Sequence, residues 1–148
     1  MTQRQTPLHG KHLALGAKMA DFGGWDMPIE YQGTVAEHTA VREDVGVFDV
    51  SHMGTTTVTG PGALDWLNSV LASDLRKIDD GKAQYSLLCH DSGGVIDDLI
   101  VYRFADDDLL IVPNAANSDA VVAVLSAAAG GTGITVTDRR DEVGILAI

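Results

Sequence analysis

The sequence predicts an α+β fold, a mainly antiparallel sheet with helices on one face. Two observations carry this expectation. Between Thr55 and Asp138 the chain reads as β-α-β-β-β-α-β, with strand-period and helix-period segments separated by Gly, Pro and Asp turns. The three central strands are joined by turn sequences alone, and two helices laid on one face of such a sheet make an α+β sandwich.

The elements follow in order. The first fifty residues are punctuated by glycine. "LHGKHLALGAKM" has room for a short helical turn, and "MADFGGWDMPIEY" is broken into extended pieces by Gly23, Gly24 and Pro28. "TVAEHTAVREDVG" reads as a helix with Thr34 as N-cap, Glu37 closing a capping box and Gly46 stopping it. "VFDVSHM" resumes an extended pattern. "TTTVTG" is a β-branched strand, and "PGALDWLNSVLA" places Pro61 in a first turn with Leu64, Leu67, Val70 and Leu71 on one helical face. "AQYSLLC" and "VIDDLIVYRF" are strands joined by the hairpin turn "HDSGG"; "ADDD" turns the chain again into "LLIVPN". "SDAVVAVLSAAA" is a helix capped by Ser118 and ended by Gly130 and Gly131, "GITVTD" is a strand, and "VGILAI" is another. Ending inside an apolar strand is unusual for a finished domain, so a truncated polypeptide is expected.

Composition removes several classes of function. Ten basic residues against 21 acidic ones give a net charge of −11, and the basic residues form no patch, which argues against nucleic acid as a partner. No apolar stretch is long enough to span a membrane, and the polar N-terminus has no signal-peptide core, so a cytoplasmic location is the default expectation. A single cysteine, Cys89, allows no internal disulfide and no zinc pattern. Among the five histidines only His9 and His12 have a suggestive spacing, in an irregular region, and no metal is expected.

The adjacent aspartates Asp97 and Asp98 in "GGVIDDLIVYRF" raise a chemical question. Alternation along a strand sends them to opposite faces, and a buried carboxylate must be paired, hydrogen-bonded or protonated. One reading is a bulge or strand edge with both carboxylates solvated. The other puts one carboxylate in a pocket suited to proton transfer or cation stabilisation. Ser51 and His52 beside Asp49 lack the separation and the nucleophile elbow of a hydrolytic triad, so they read as core or hydrogen-bonding residues. Asn114, ending "LLIVPN", either caps the next helix or offers its amide as donor and acceptor to a flat heterocycle, with Tyr85 as an aromatic wall.

Taken together, "TPLHGKHLALGAKMADFGGWDMPIEY", "HTAVREDVGVFDVSHMG", "GKAQYSLLCHDSGGVIDDLIVYR" and "LLIVPNAAN" resemble, in order, the N-terminal part of the glycine cleavage system T-protein family of aminomethyltransferases. The resemblance covers nearly the whole chain. It implies a tetrahydrofolate-dependent enzyme that takes an aminomethyl group from the lipoyl arm of the H-protein, releases ammonia and delivers the one-carbon unit to tetrahydrofolate. It implies that Asp98 is the catalytic carboxylate at the pterin edge, held in an apolar pocket, and that Met53, Tyr85, Val112 and Asn114 complete the folate contacts of this stretch. Asp97 is then expected to face away and serve structure or the outer surface.

The resemblance also implies a domain plan. Residues 1–53 form the N-terminal segment of a split domain, 54–138 an α+β domain carrying part of the pocket, and 139–148 the start of the return to the split domain. Members of the family are longer and carry further folate ligands beyond position 148, so this chain alone is expected to be inactive, and its unpaired apolar segments to self-associate. Two other folate-binding classes share the fold. The iron–sulfur assembly proteins lack the "SHMG … GGVIDDLIVYR" set. The folate domains of dimethylglycine or sarcosine oxidising enzymes follow a flavin domain, whereas this chain starts with its own Met and "TPLHGKH".

Overall fold

A computed structural model describes residues 3–148. The chain divides into two compact units, one made of Met1–His52 with Val143–Ile148 and the other of Met53–Glu142. No helix among the described residues is long and apolar enough to cross a membrane.

The first unit begins with a short helix, α1 (His9–Ala14), followed by an antiparallel hairpin of β1 (Lys18–Phe22) and β2 (Trp25–Glu30). Its turn is Gly23-Gly24, both with positive φ, a backbone conformation that side chains with a Cβ rarely adopt. Helix α2 (Thr34–Glu43) follows. Its cap differs from the expected one. Gly33 is the N-cap, and it is the Glu37 carboxylate that reaches back, with Oε1 accepting from the backbone N–H groups of Tyr31, Gln32 and Gly33 at 2.6, 2.7 and 3.1 Å. Thr34 instead donates its hydroxyl to Glu30. Strand β3 (Phe48–Asp49) pairs antiparallel with the last strand of the chain, Leu146–Ala147, so the terminal apolar run finds a partner nearly a hundred residues upstream.

A buried carboxylate organises this unit. The Asp49 side chain is 1% exposed, and its Oδ2 accepts from the Thr6 hydroxyl at 2.6 Å and from His12 Nε2 at 2.8 Å. Its Oδ1 accepts from the backbone N–H of Ser51 at 3.0 Å. On its other side the His12 ring meets the Tyr31 hydroxyl at 2.7 Å. Thr6, His12 and Ser51 thus bond to one carboxylate, and Tyr31 joins through the His12 ring. Burial pushes the Asp49 carboxyl up, but the hydrogen bonds from His12, Ser51 and Thr6 outweigh it and hold the group at about 2.

The second unit is the expected α+β sandwich. After β4 (Thr56–Thr59) come α3 (Ala63–Val70), a 3-10 turn at Leu75–Lys77, β5 (Lys82–Cys89), β6 (Val95–Ala105), β7 (Asp108–Val112), α4 (Ser118–Ala129) and β8 (Thr135–Asp138); β9 is the Leu146–Ala147 strand of the first unit. The sheet order is β5-β6-β7-β4-β8, with every neighbouring pair antiparallel. The sequence order β-α-β-β-β-α-β is therefore present as read, and the helices lie on one face. There, Val58, Leu88, Leu99, Val101, Leu109 and Ile111 of the strands pack with Leu64, Leu67, Val121 and Leu125 of the helices. Each such side chain removed from water contributes roughly 1.5–3 kcal/mol. Helix α3 begins two residues after Pro61, behind Gly62 in the left-handed conformation, and Asn117 rather than Ser118 is the N-cap of α4.

The second unit extends past Asp138 because the next residues are tied back to it. The Arg139 N–H donates to the Thr55 carbonyl at 2.7 Å, and the Arg140 guanidinium pairs with both Asp138 and Asp119.

The Asp49 network generates a prediction with a defined sign. The carboxyl is depressed from 3.8 to about 2 on folding, so its stabilisation is complete above about pH 4 and is lost as pH falls towards 2. Asp49→Asn is expected to lower stability by roughly 1–3 kcal/mol at pH 7. Thermal melts of both proteins should converge between pH 4 and pH 2. A gap between them that does not change with pH would contradict this role for the charge.

Candidate functional site

The site is built on β6 and its neighbours. Strand alternation places Asp97, Leu99 and Val101 towards the helices, where they are 2%, 1% and 0% exposed. Asp98, Ile100 and Tyr102 point to the other face, whereas Ile96, at the register slip, packs against the core. The two aspartates face opposite ways as expected, with Asp97 the buried carboxylate, while Asp98, expected in an apolar pocket, is exposed. The strand carries an irregularity opposite Leu88 and Cys89, just before the pair, but β6 is an interior strand and only one of the two carboxylates is solvated.

Asp97 survives burial because it is saturated with donors. Its Oδ2 accepts from the backbone N–H of Asn114 at 2.9 Å. Its Oδ1 accepts from the side-chain amides of Asn114 and Asn117 at 3.0 and 2.7 Å. The sequence reading missed Asn117, although "NAAN", with two amide side chains three residues apart directly after a strand, was the available signal.

On the other face, the cross-strand register assembles the remaining residues. Asp98 lies opposite Leu87, Ile100 lies between Tyr85 on β5 and Val112 on β7, and directly opposed residues share a face. Tyr85 is 65% exposed. The Asn114 amide, at the end of β7, donates to the Asp98 carbonyl at 2.8 Å and to Asp98 Oδ1 at 3.1 Å, besides its bond to Asp97. Its NH2 group is therefore committed to the two aspartates, and what it can offer a ligand is its carbonyl edge.

Met53 enters through the residue that follows it. Gly54 donates its N–H to the Pro113 carbonyl at 2.9 Å, and a Cβ on Gly54 would overlap the Pro113 ring and the Ser118 hydroxyl. Ser118 in turn donates to the Asn114 carbonyl at 3.0 Å. This close approach brings the segment carrying Met53 against the loop that carries Asn114. All five expected contact residues, Met53, Tyr85, Asp98, Val112 and Asn114, lie in the second unit.

The arrangement suits a flat, polar-edged ligand. Tyr85, Leu87, Ile100 and Val112 supply an apolar surface, and Asp98 supplies a carboxylate able to accept hydrogen bonds from ring or exocyclic N–H groups.

The other candidates have structural partners. Ser51 is buried and exchanges hydrogen bonds with the backbone of Ile145, donating at 3.3 Å and accepting at 3.0 Å. His52 stacks edge-on against Phe22, and burial lowers its pKa. His9 and His12 bond to Asp26 and Asp49 respectively, and no group of three or more His, Cys, Asp or Glu side chains able to hold a metal occurs among the described residues.

Residues 8–148 match the model of the GCVT N-terminal domain. An aminomethyltransferase of Frankia alni is 56% identical over 147 residues, covering 98% of this chain and 40% of the relative. One from Mycobacterium tuberculosis is 54% identical over 142 residues, 96% of this chain and 38% of the relative. The crystal structure of glycine cleavage system aminomethyltransferase T from Bartonella henselae superposes with a TM-score of 0.87 at 37% identity, covering 91% of this chain and 38% of that one. The chain spans about 40% of the length of the curated relatives it matches.

Gly54 offers a direct check of the loop packing. Gly54→Ala is expected to destabilise the protein by about 1–3 kcal/mol through overpacking, measured by urea denaturation. Gly10→Ala, where a Cβ meets nothing within 4 Å, is the control and should cost nothing. Equal stability of the two variants would show that the Met53 and Asn114 segments are not packed as described. By the extent of the family match and the identity of its relatives, the chain belongs to the GCVT N-terminal domain family.

Proposed function

We propose that this chain supplies part of the folate pocket of an aminomethyltransferase of the glycine cleavage system. In this reading the full-length enzyme transfers the one-carbon unit from the aminomethyl-lipoyl arm of the H-protein to tetrahydrofolate and releases ammonia. The observation that carries the reading is the Asp98 carboxylate, exposed among apolar side chains on β5, β6 and β7, in a chain 56% identical to an aminomethyltransferase.

Tetrahydrofolate is the acceptor substrate and brings the nitrogens that receive the carbon. The side chains of Tyr85 and Val112 hold the flat ring by contact, and Met53 flanks it. Asp98 accepts a hydrogen bond at the ring edge, which raises the electron density of the reacting nitrogen. The same negative charge stabilises the positive charge that develops on the carbon in transit. Both effects strengthen as water leaves the surface around the carboxylate.

Charge acting mainly on the transition state has a kinetic signature. In the full-length enzyme, Asp98→Asn is expected to lower kcat by about a hundredfold or more, equivalent to about 2.7–4 kcal/mol, with a much smaller change in the KM for tetrahydrofolate. Steady-state assay of methylene-tetrahydrofolate formation from aminomethylated H-protein measures it. A variant that keeps wild-type kcat would remove Asp98 from the chemistry.

A further inference from the structure

We infer that Asp97 is a positioning residue: through Asn114 it fixes the orientation of the Asp98 carboxylate on the opposite face of the sheet. The inference rests on the transferase reading of Asp98 and adds a residue to it. Asp97 is 2% exposed and points to the helix side, so it cannot touch a ligand on the other face. It can act there only through a group that reaches both sides, and Asn114 is that group. At the end of β7 its single NH2 group lies 3.0 Å from Asp97 Oδ1, 2.8 Å from the Asp98 carbonyl and 3.1 Å from Asp98 Oδ1.

Two further bonds keep the linkage from turning. The Asn114 backbone N–H donates to Asp97 Oδ2 at 2.9 Å, so the same carboxylate grips the main chain and the side chain of Asn114 at once. The Asn117 amide donates to Asp97 Oδ1 at 2.7 Å and holds the carboxylate itself in place. With the backbone pinned and the amide nitrogen attracted by a buried negative charge, the Asn114 side chain has one favoured orientation, and in it the NH2 group faces Asp98.

Only a carboxylate meets these demands. It accepts at both oxygens, so all three donors are satisfied. A carboxamide at position 97 would turn its own NH2 towards at least one of them, leaving either the Asn114 backbone N–H or the two side-chain amides facing a donor. A buried donor without an acceptor is unfavourable, and the amide of Asn114 can relieve it by rotating away. Asp98 would then lose the bond that orients it.

The test separates positioning from a merely structural role. In the full-length enzyme Asp97→Asn is expected to lower kcat by about tenfold while the KM for tetrahydrofolate moves by less than about threefold, a smaller loss than removal of the Asp98 charge itself. Asn117→Ala removes one donor and no charge, should fold normally, and should lower kcat by about threefold. In the 148-residue chain, NMR of the Asn114 side-chain amide should show its two proton resonances displaced in both variants while the rest of the spectrum stays dispersed. That measurement needs no transfer activity, so it stands or falls separately from the transferase reading, which an unaffected Asp98→Asn enzyme would sink. Unchanged Asn114 amide resonances in both variants would overturn the inference. So would a kcat per folded molecule that remains at the wild-type value in both.

Discussion

Helices α3 and α4 cover one face of the five-stranded sheet, and strand alternation then forces neighbouring residues of β6 into opposite surroundings. Asp97 goes to the covered side, where its charge is tolerated because three N–H groups meet it. Asp98 goes to the other side, exposed among Leu87, Ile100 and Tyr85. One carboxylate is taken up by hydrogen bonds within the fold, and its neighbour stays exposed. The loop after β7 links the two, since Asn114 donates to both, and the close approach of Gly54 to Pro113 places Met53 beside that loop.

A second buried carboxylate plays a comparable part in the first unit. Asp49 draws Thr6, His12 and Ser51 together, and Tyr31 joins through the His12 ring. This unit has little apolar core, since Trp25 and Met27 are buried while Ile29, Val47 and Phe48 remain exposed. Polar tethers therefore carry more of its organisation than in the second unit, where thirteen buried apolar side chains form one cluster. The pH dependence of stability in the two units should differ accordingly.

Much of the second unit was legible in the sequence because its signals are local. β-branched runs, the "HDSGG" turn and the spacing of Leu64, Leu67 and Leu71 each specify an element without knowledge of the rest. The facing of Asp97 and Asp98 was not legible in the same way. Alternation says that they oppose one another, but apolar residues flank both phases: Leu99 and Val101 lie in phase with Asp97, Ile96 and Ile100 with Asp98. The tie is broken by donors from far along the chain, Asn114 and Asn117, and single-residue patterns do not register such pairing. The β3–β9 pair and the Asp49 network were hidden for the same reason, as each joins short segments with weak periodicity across long sequence separations. The five proposed site residues came from the resemblance to a family rather than from periodicity; Tyr85, Asp98 and Val112 lie on β5, β6 and β7, while Met53 and Asn114 lie outside those strands.

The central claim is that the exposed face around Asp98 is the surface that meets the pterin. Titrating tetrahydrofolate to millimolar concentration into the isotopically labelled 148-residue chain, and following amide and methyl resonances, tests it most directly. The account predicts shifts concentrated at Met53, Tyr85, Leu87, Asp98, Val112 and Asn114, with Leu125 and the rest of the helix-covered face unmoved. Shifts confined to other surfaces, with Tyr85, Asp98 and Asn114 unchanged, would contradict it.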